Sequence, residues 1–209
     1  MADWLARAAR KGGHIALTGG STPELAYKEA AQREPDWSKT ELWWSDERCV
    51  PPDDDLSNFA LAKRTLLDRL DGDPRAVHRI KGELGKDKAA AAYELELGET
   101  VFDLELLGIG KDGHVASLFP NAPTLQQSKR VLPAEPGLEP FVDRVTLGIP
   151  TLNSAREIVF ALSGAEKAEA ARRAFAATPS PDTPASLVRA NDGRTTAILD
   201  RAAAVRLGA

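Results

Sequence analysis

The sequence predicts an α/β fold: one domain built on a mainly parallel sheet, with helices covering both faces. Three observations carry this. Short apolar runs alternate with helical patterns along the chain. The runs are apolar at consecutive positions rather than at every second one, as in strands buried on both faces. The chain has 209 residues, enough for one α/β unit with a substantial core, and no internal repeat or linker divides it. A single domain over 1–209 is expected.

The elements follow in order. Residues 15–17 read as a buried strand, followed by Gly19-Gly20 and a helix through Leu25, Tyr27 and Ala30. A second strand covers 42–44 and carries two tryptophans. Phe59, Ala62, Leu66 and Leu70 recur at three- and four-residue spacing, predicting a helix over 58–70. Another helix covers 89–97, and a strand over 104–109 ends in a glycine loop. Strands are expected at 145–149, 158–162 and 196–199, with a helix over 165–177 and a short helix at the end. The acidic stretch 51–56, the stretch 135–140 and the proline-rich 178–184 read as loops.

Composition narrows the function. Hydrophobic residues make up 43% and charged residues 28%, a globular balance. Net charge is −4 with no basic block, which excludes a nucleic-acid binder that neutralises many phosphates. One small phosphate remains within reach of a few local donors. Cys49 is the only cysteine, so neither an intrachain disulfide nor a multi-cysteine zinc site can form. There is no apolar run of about eighteen residues and no secretory leader pattern, so no membrane is involved and a cytoplasmic location is expected. No H-E-x-x-H or similar ligand set occurs, and neither a metal nor a cofactor is expected. A monomer or weak homodimer is anticipated.

In parallel sheets, ligands sit beyond the carboxyl ends of the strands. Four such places carry chemistry. In the first, Gly19 and Gly20 let a ligand approach the backbone. Ser21 with Glu24 fits a capping box, and Thr22 before Pro23 fits a cap, at a helix start suited to an anion. In the second, Ser45-Asp46-Glu47-Arg48 follows the tryptophan strand, and Arg48 can hold a phosphate or carboxylate through two hydrogen bonds. Ser57-Asn58 downstream reads as a cap for the next helix. The third runs from Gly108 to Pro120, with Gly110, Asp112, Gly113 and His114 close together. Imidazole titrates near neutrality, so His114 can take a proton from water and return it, with Asp112 placed to orient the ring or a substrate hydroxyl. His14 and His78 have no such setting. In the fourth, Ser163-Gly164-Ala165-Glu166-Lys167 puts a cation in a first helical turn, where the helix dipole disfavours it unless an anion compensates. Arg144, just before a strand, is a further candidate. The structural alternatives are a capped turn, a surface ion cluster and a solvated lysine.

Together, in this order, these motifs resemble those of the 6-phosphogluconolactonases, and more distantly those of the glucosamine-6-phosphate deaminases. The resemblance covers the chain from about Gly13 onward. It implies a Rossmann-like domain that hydrolyses 6-phospho-D-glucono-1,5-lactone, a small phosphorylated sugar lactone, in the oxidative pentose phosphate pathway. It implies His114 as the base, and Ser21, Thr22, Arg48 and Lys167 as holders of the substrate, above all its phosphate. Asp46, Gly110, Gly113 and Arg144 complete the expected site. Deaminases resemble Asp-Glu-Tyr at the second loop and Asn-Glu-Pro after the histidine. This chain has Asp46-Glu47-Arg48 and Ser117-Leu118-Phe119-Pro120, without the glutamate that ring opening requires. Two departures from the lactonase pattern stand out. Only about a dozen residues precede Gly13, so either a sheet without its N-terminal edge strand or a truncated start is expected, and the loop at 52–56 is unusually acidic.

Overall fold

The computed structural model describes residues 1–137 and 139–208. Helix α1 (Ala2–Lys11) leads into β1 (Gly13–Leu17), α2 (Ser21–Arg33), β2 (Thr40–Trp44) and β3 (Asp46–Arg48). There follow α3 (Asn58–Thr65), β4 (Ala76–Val77), α4 (Lys86–Leu97), β5 (Leu104–Leu107), β6 (Val131–Ala134) and β7 (Arg144–Leu147). The chain continues through α5 (Ile149–Asn153), β8 (Glu157–Leu162), α6 (Ala168–Ala174), β9 (Arg194–Leu199) and α7 (Arg201–Ala204).

Six strands form a sheet in the order β4-β2-β1-β5-β8-β9, parallel throughout. Its direction of build reverses between β1 and β5, which opens a crevice at their carboxyl ends. Trp43 and Trp44, neighbours on β2, point to opposite faces and are both buried. The Trp43 ring meets Tyr93 of α4, and Trp44 meets Phe59 from α3, so helices cover both faces.

Three sequence expectations are corrected. The strand expected at 145–149 is β7, which leaves the parallel sheet. It pairs antiparallel with β3 and β6 in a separate three-stranded sheet. Among its described residues the loop joining β6 to β7 carries no crossover element, and a short connection of this kind returns antiparallel. The helix expected over 58–70 stops at Thr65, whose hydroxyl bonds back to Leu61 O at 2.6 Å, and a 3₁₀ turn (Leu67–Arg69) follows. The helix expected over 165–177 opens as a 3₁₀ turn (Ala165–Lys167) before α6.

Candidate active site

A pocket opens beyond the carboxyl ends of β1, β5 and β8, with the small antiparallel sheet as its side wall. Two buried tyrosines prepare the strand ends beside it. Tyr27 donates its hydroxyl to Thr18 O at 2.6 Å and accepts from Thr18 N at 3.0 Å. Tyr93 does the same for Trp44, at 3.1 and 2.9 Å. Each satisfies a backbone pair where the β ladder stops.

After β1, Gly19 lies so close to the Asn58 side chain that a β-carbon would collide with it. Gly20 has φ 107°, which favours glycine, and turns the chain into α2. The expected caps do not form. The helix starts at Ser21, so Ser21 and Thr22 lie within its first turn, and no side chain caps it. Glu24 instead binds Lys28 at 2.8 Å, an i,i+4 pair that outcompetes reaching back over Pro23. The helix start, lined by Ser21 and Thr22, therefore faces the pocket with orphan N–H donors.

The side wall is strongly cationic. Arg48 on β3 and Arg144 on β7 are directly opposed, not before a strand as expected for Arg144 but within one. Like charges directly opposite on a sheet repel. Neither has a carboxylate salt-bridge partner among the described residues, and the Nε of each is buried without a hydrogen-bond partner. Arg48 Nη1 donates to Leu56 O, and Arg144 Nη2 donates to Pro140 O at 3.3 Å. Burial, then repulsion from Arg48, lowers the Arg144 pKa. Asp46 lies on the same face of β3. Its carboxylate accepts from Ser117 Oγ at 2.7 Å and Asn58 Nδ2 at 3.1 Å. Glu47 points away and is buried beneath α3. It accepts from Ser57 Oγ and from the N–H groups of Arg48, Asn58 and Phe59 at 2.7 to 2.9 Å. Ser57 itself caps α3 through Ala60 N, as expected.

Opposite this wall, the loop after β5 closes on itself. Gly113 N donates to Gly110 O at 3.0 Å, and Gly110 N donates to His114 O at 2.9 Å. His114 Nδ1 lies 2.6 Å from Asp112 Oδ1, and the His114 N–H reaches the same oxygen at 3.2 Å. Burial opposes ionised Asp112, but its bond to His114 and their attraction outweigh this and lower its pKa. Gly110 has no side chain because a β-carbon would run into the His114 ring. His114 and Gly110 line the pocket; Asp112 and Gly113 sit behind them. Gly113, at φ 99°, packs against Thr183. After β8, Lys167 ends the 3₁₀ turn and is the N-cap residue of α6 rather than part of that helix. Its Nζ donates to Ile109 O at 2.7 Å, and burial lowers its pKa.

The pocket thus combines an acid-oriented imidazole with three cations and a helix start. A family model described as glucosamine-6-phosphate isomerases/6-phosphogluconolactonase matches residues 2–197. The chain belongs to this family. A 6-phosphogluconolactonase of Mycobacterium tuberculosis is 37% identical, over 96% of this chain and 87% of its own. A probable 6-phosphogluconolactonase of Schizosaccharomyces pombe is 41% identical, over 73% of this chain and 67% of its own. The crystal structure of a 6-phosphogluconolactonase from Thermotoga maritima superposes with a TM-score of 0.83 at 31% identity, over 95% of each chain. A monomeric glucosamine-6-phosphate deaminase, at 24% identity and a TM-score of 0.80, shares the fold.

On this family fold, the four loops and Arg144 converge on one pocket, with Asp112 and Gly113 in support. Sequence reasoning missed the roles of Tyr27, Asn58 and Glu47. Asn58 reads as a cap, and nothing in its spacing from Asp46 signals a side-chain bond. For Glu47 the place beside Arg48 signals nothing until 46–48 is seen as a strand, whose adjacent positions face opposite ways.

Proposed function

We propose that the chain hydrolyses 6-phospho-D-glucono-1,5-lactone to 6-phospho-D-gluconate. The observation that carries this reading is the Arg48–Arg144 pair: two opposed cations without carboxylate partners among the described residues, across one pocket from the Asp112–His114 couple. An anion between the arginines turns their repulsion into a shared attraction. The names of the relatives supply the substrate.

Arg48, Arg144, Lys167 and the start of α2 hold the phosphate and fix the far end of the substrate. This orients the lactone carbonyl towards His114 and converts a loose encounter into a positioned one. Asp112 takes up Nδ1 of His114, leaving Nε2 as the base. Nε2 removes a proton from water as the water oxygen bonds to the carbonyl carbon, whose oxygen becomes an oxyanion. The C–O bond to the ring oxygen then breaks, and protonated His114 returns its proton to that oxygen. The N–H groups of Gly110 and Gly113 are engaged within their loop, so oxyanion donors must come from elsewhere in the pocket. Asp46 is the only carboxylate lining the pocket among the described residues. Held by Ser117 and Asn58, it presents its remaining lone pairs to substrate hydroxyls.

The test is lactone hydrolysis measured above the spontaneous background, with wild type and His114→Ala side by side. Turnover by wild type and its loss in the variant support the reading. No turnover above background by the folded wild type would refute it.

A further inference from the structure

Arg173, on α6, reaches away from its own helix to the loop that carries His114. Its Nη2 donates to Asp112 O at 3.1 Å and to Lys111 O at 3.4 Å. The acid nearest to it is Glu169, 3.9 Å from Nε, and Glu169 is already held by Arg172 at 2.6 Å and Arg206 at 2.8 Å. Arg173 Nε is buried with no hydrogen-bond partner among the described residues. The guanidinium therefore has the loop carbonyls as its main acceptors.

That loop needs outside anchors. It contains Gly110 and Gly113, and only short bonds within itself close it. Its other carbonyls are held from beyond: Ile109 O by Lys167 and Gly113 O by Ala185 N at 3.0 Å. Arg173 supplies the anchors between these two. It is also the one that grips Asp112, the residue whose carboxylate faces His114. Fixing the Asp112 carbonyl fixes the backbone from which that carboxylate projects.

We infer that Arg173 is a positioning residue for the hydrolysis. It holds the 111–112 backbone so that Asp112 meets His114 Nδ1 and the imidazole presents Nε2 to the pocket. This rests on the reading of His114 as the base. Arg173 touches no substrate; it acts through Asp112. Residues six apart on one segment then serve different ends of the reaction, Lys167 the phosphate and Arg173 the imidazole.

The test uses Arg173→Ala and Arg173→Lys in the full chain, with His114→Ala as control. Misplacing a reacting group lowers kcat by about 10- to 100-fold, and that loss is expected for Arg173→Ala. KM for the phosphorylated lactone should hold, and the unphosphorylated lactone should lose the same factor. Arg173→Lys, which keeps one donor group and the charge, should recover part of kcat. The ¹⁵N resonances of the His114 ring should shift in Arg173→Ala, because the Nδ1–Asp112 bond is disturbed. Unchanged kcat and unchanged ring resonances would overturn the inference. So would a loss confined to thermal stability, or a loss confined to KM. If His114→Ala stays active, the reading beneath the inference fails, while the ring resonances still report whether Arg173 sets the Asp112–His114 bond. Should Arg173→Ala not fold, Arg173→Lys and the same two readouts decide.

Discussion

Asp112 engages Nδ1 of His114, and the proposed mechanism uses the other ring nitrogen. On the proposed mechanism, replacing His114 with alanine removes the general base, and kcat should fall by about 10²–10⁴-fold. Circular dichroism should remain native, because the ring lies at the pocket rather than in the core. Near-normal turnover above the spontaneous rate would contradict the assignment. The role proposed for the cations is binding. Arg48→Ala, Arg144→Ala and Lys167→Ala should each raise KM, since a charged hydrogen bond contributes roughly 1.5–3 kcal/mol, about ten- to a hundredfold in affinity. Loss of kcat should be smaller where the phosphate is gripped equally in ground and transition states. Steady-state kinetics separates the two: a fall in kcat with KM constant would move these residues from binding to chemistry. The opposed arginines add a ligand-free readout. Inorganic phosphate should raise the melting temperature of wild type, and less so that of Arg144→Ala, by binding the native state. No difference between them would remove Arg144 from the anion site.

At the scale of elements, strand ends are held by side chains as much as by pairing. Tyr27→Phe would leave the buried N–H and C=O of Thr18 without their hydroxyl partner. Each unsatisfied buried group costs about 1–3 kcal/mol, so with two groups left unpaired chemical denaturation should show a loss of roughly 2–6 kcal/mol, with KM rising as the Gly19-Gly20 turn loosens. Unchanged stability would mean that water replaces the hydroxyl. This level was only partly legible in the sequence. The parallel strands were legible because apolar runs such as 15–17 and 158–162 leave no polar face for solvent. The second sheet was not. Asp46-Glu47-Arg48 is too short and too charged to read as a strand, and it becomes one only because β7 lies opposite it. The helix start at Ser21 misled for a related reason: Ser-Thr-Pro-Glu satisfies two capping patterns, and the chain uses neither.

The whole molecule places its candidate site where the sheet order reverses, and motif residues from loops far apart in the chain meet there. That convergence was legible, since a strand end followed by glycine or charge is visible in sequence. Glu105 was not, because it lies inside an otherwise apolar strand. It is fully buried on β5, between Ala16 and Ile158, with neither carboxylate oxygen hydrogen-bonded to a described residue. Burial raises its pKa well above the ordinary 4.5. The native state then keeps this proton where the unfolded chain has lost it. Stability is fully present below the unfolded value and falls by roughly 1.4 kcal/mol per pH unit as pH rises from there through the native pKa. Glu105→Gln should remove that slope and gain on wild type as pH rises from 4.5 towards neutrality. Equal pH profiles in denaturant titrations would show that Glu105 is not the source.

The most direct test of the central claim compares two substrates across four proteins. kcat/KM is measured for 6-phosphogluconolactone and for unphosphorylated gluconolactone with wild type, Arg48→Ala, Arg144→Ala and Lys167→Ala. The account predicts that wild type strongly prefers the phosphorylated lactone and that each substitution lowers kcat/KM for that substrate alone. Equal losses on both substrates, or no preference in wild type, would contradict it.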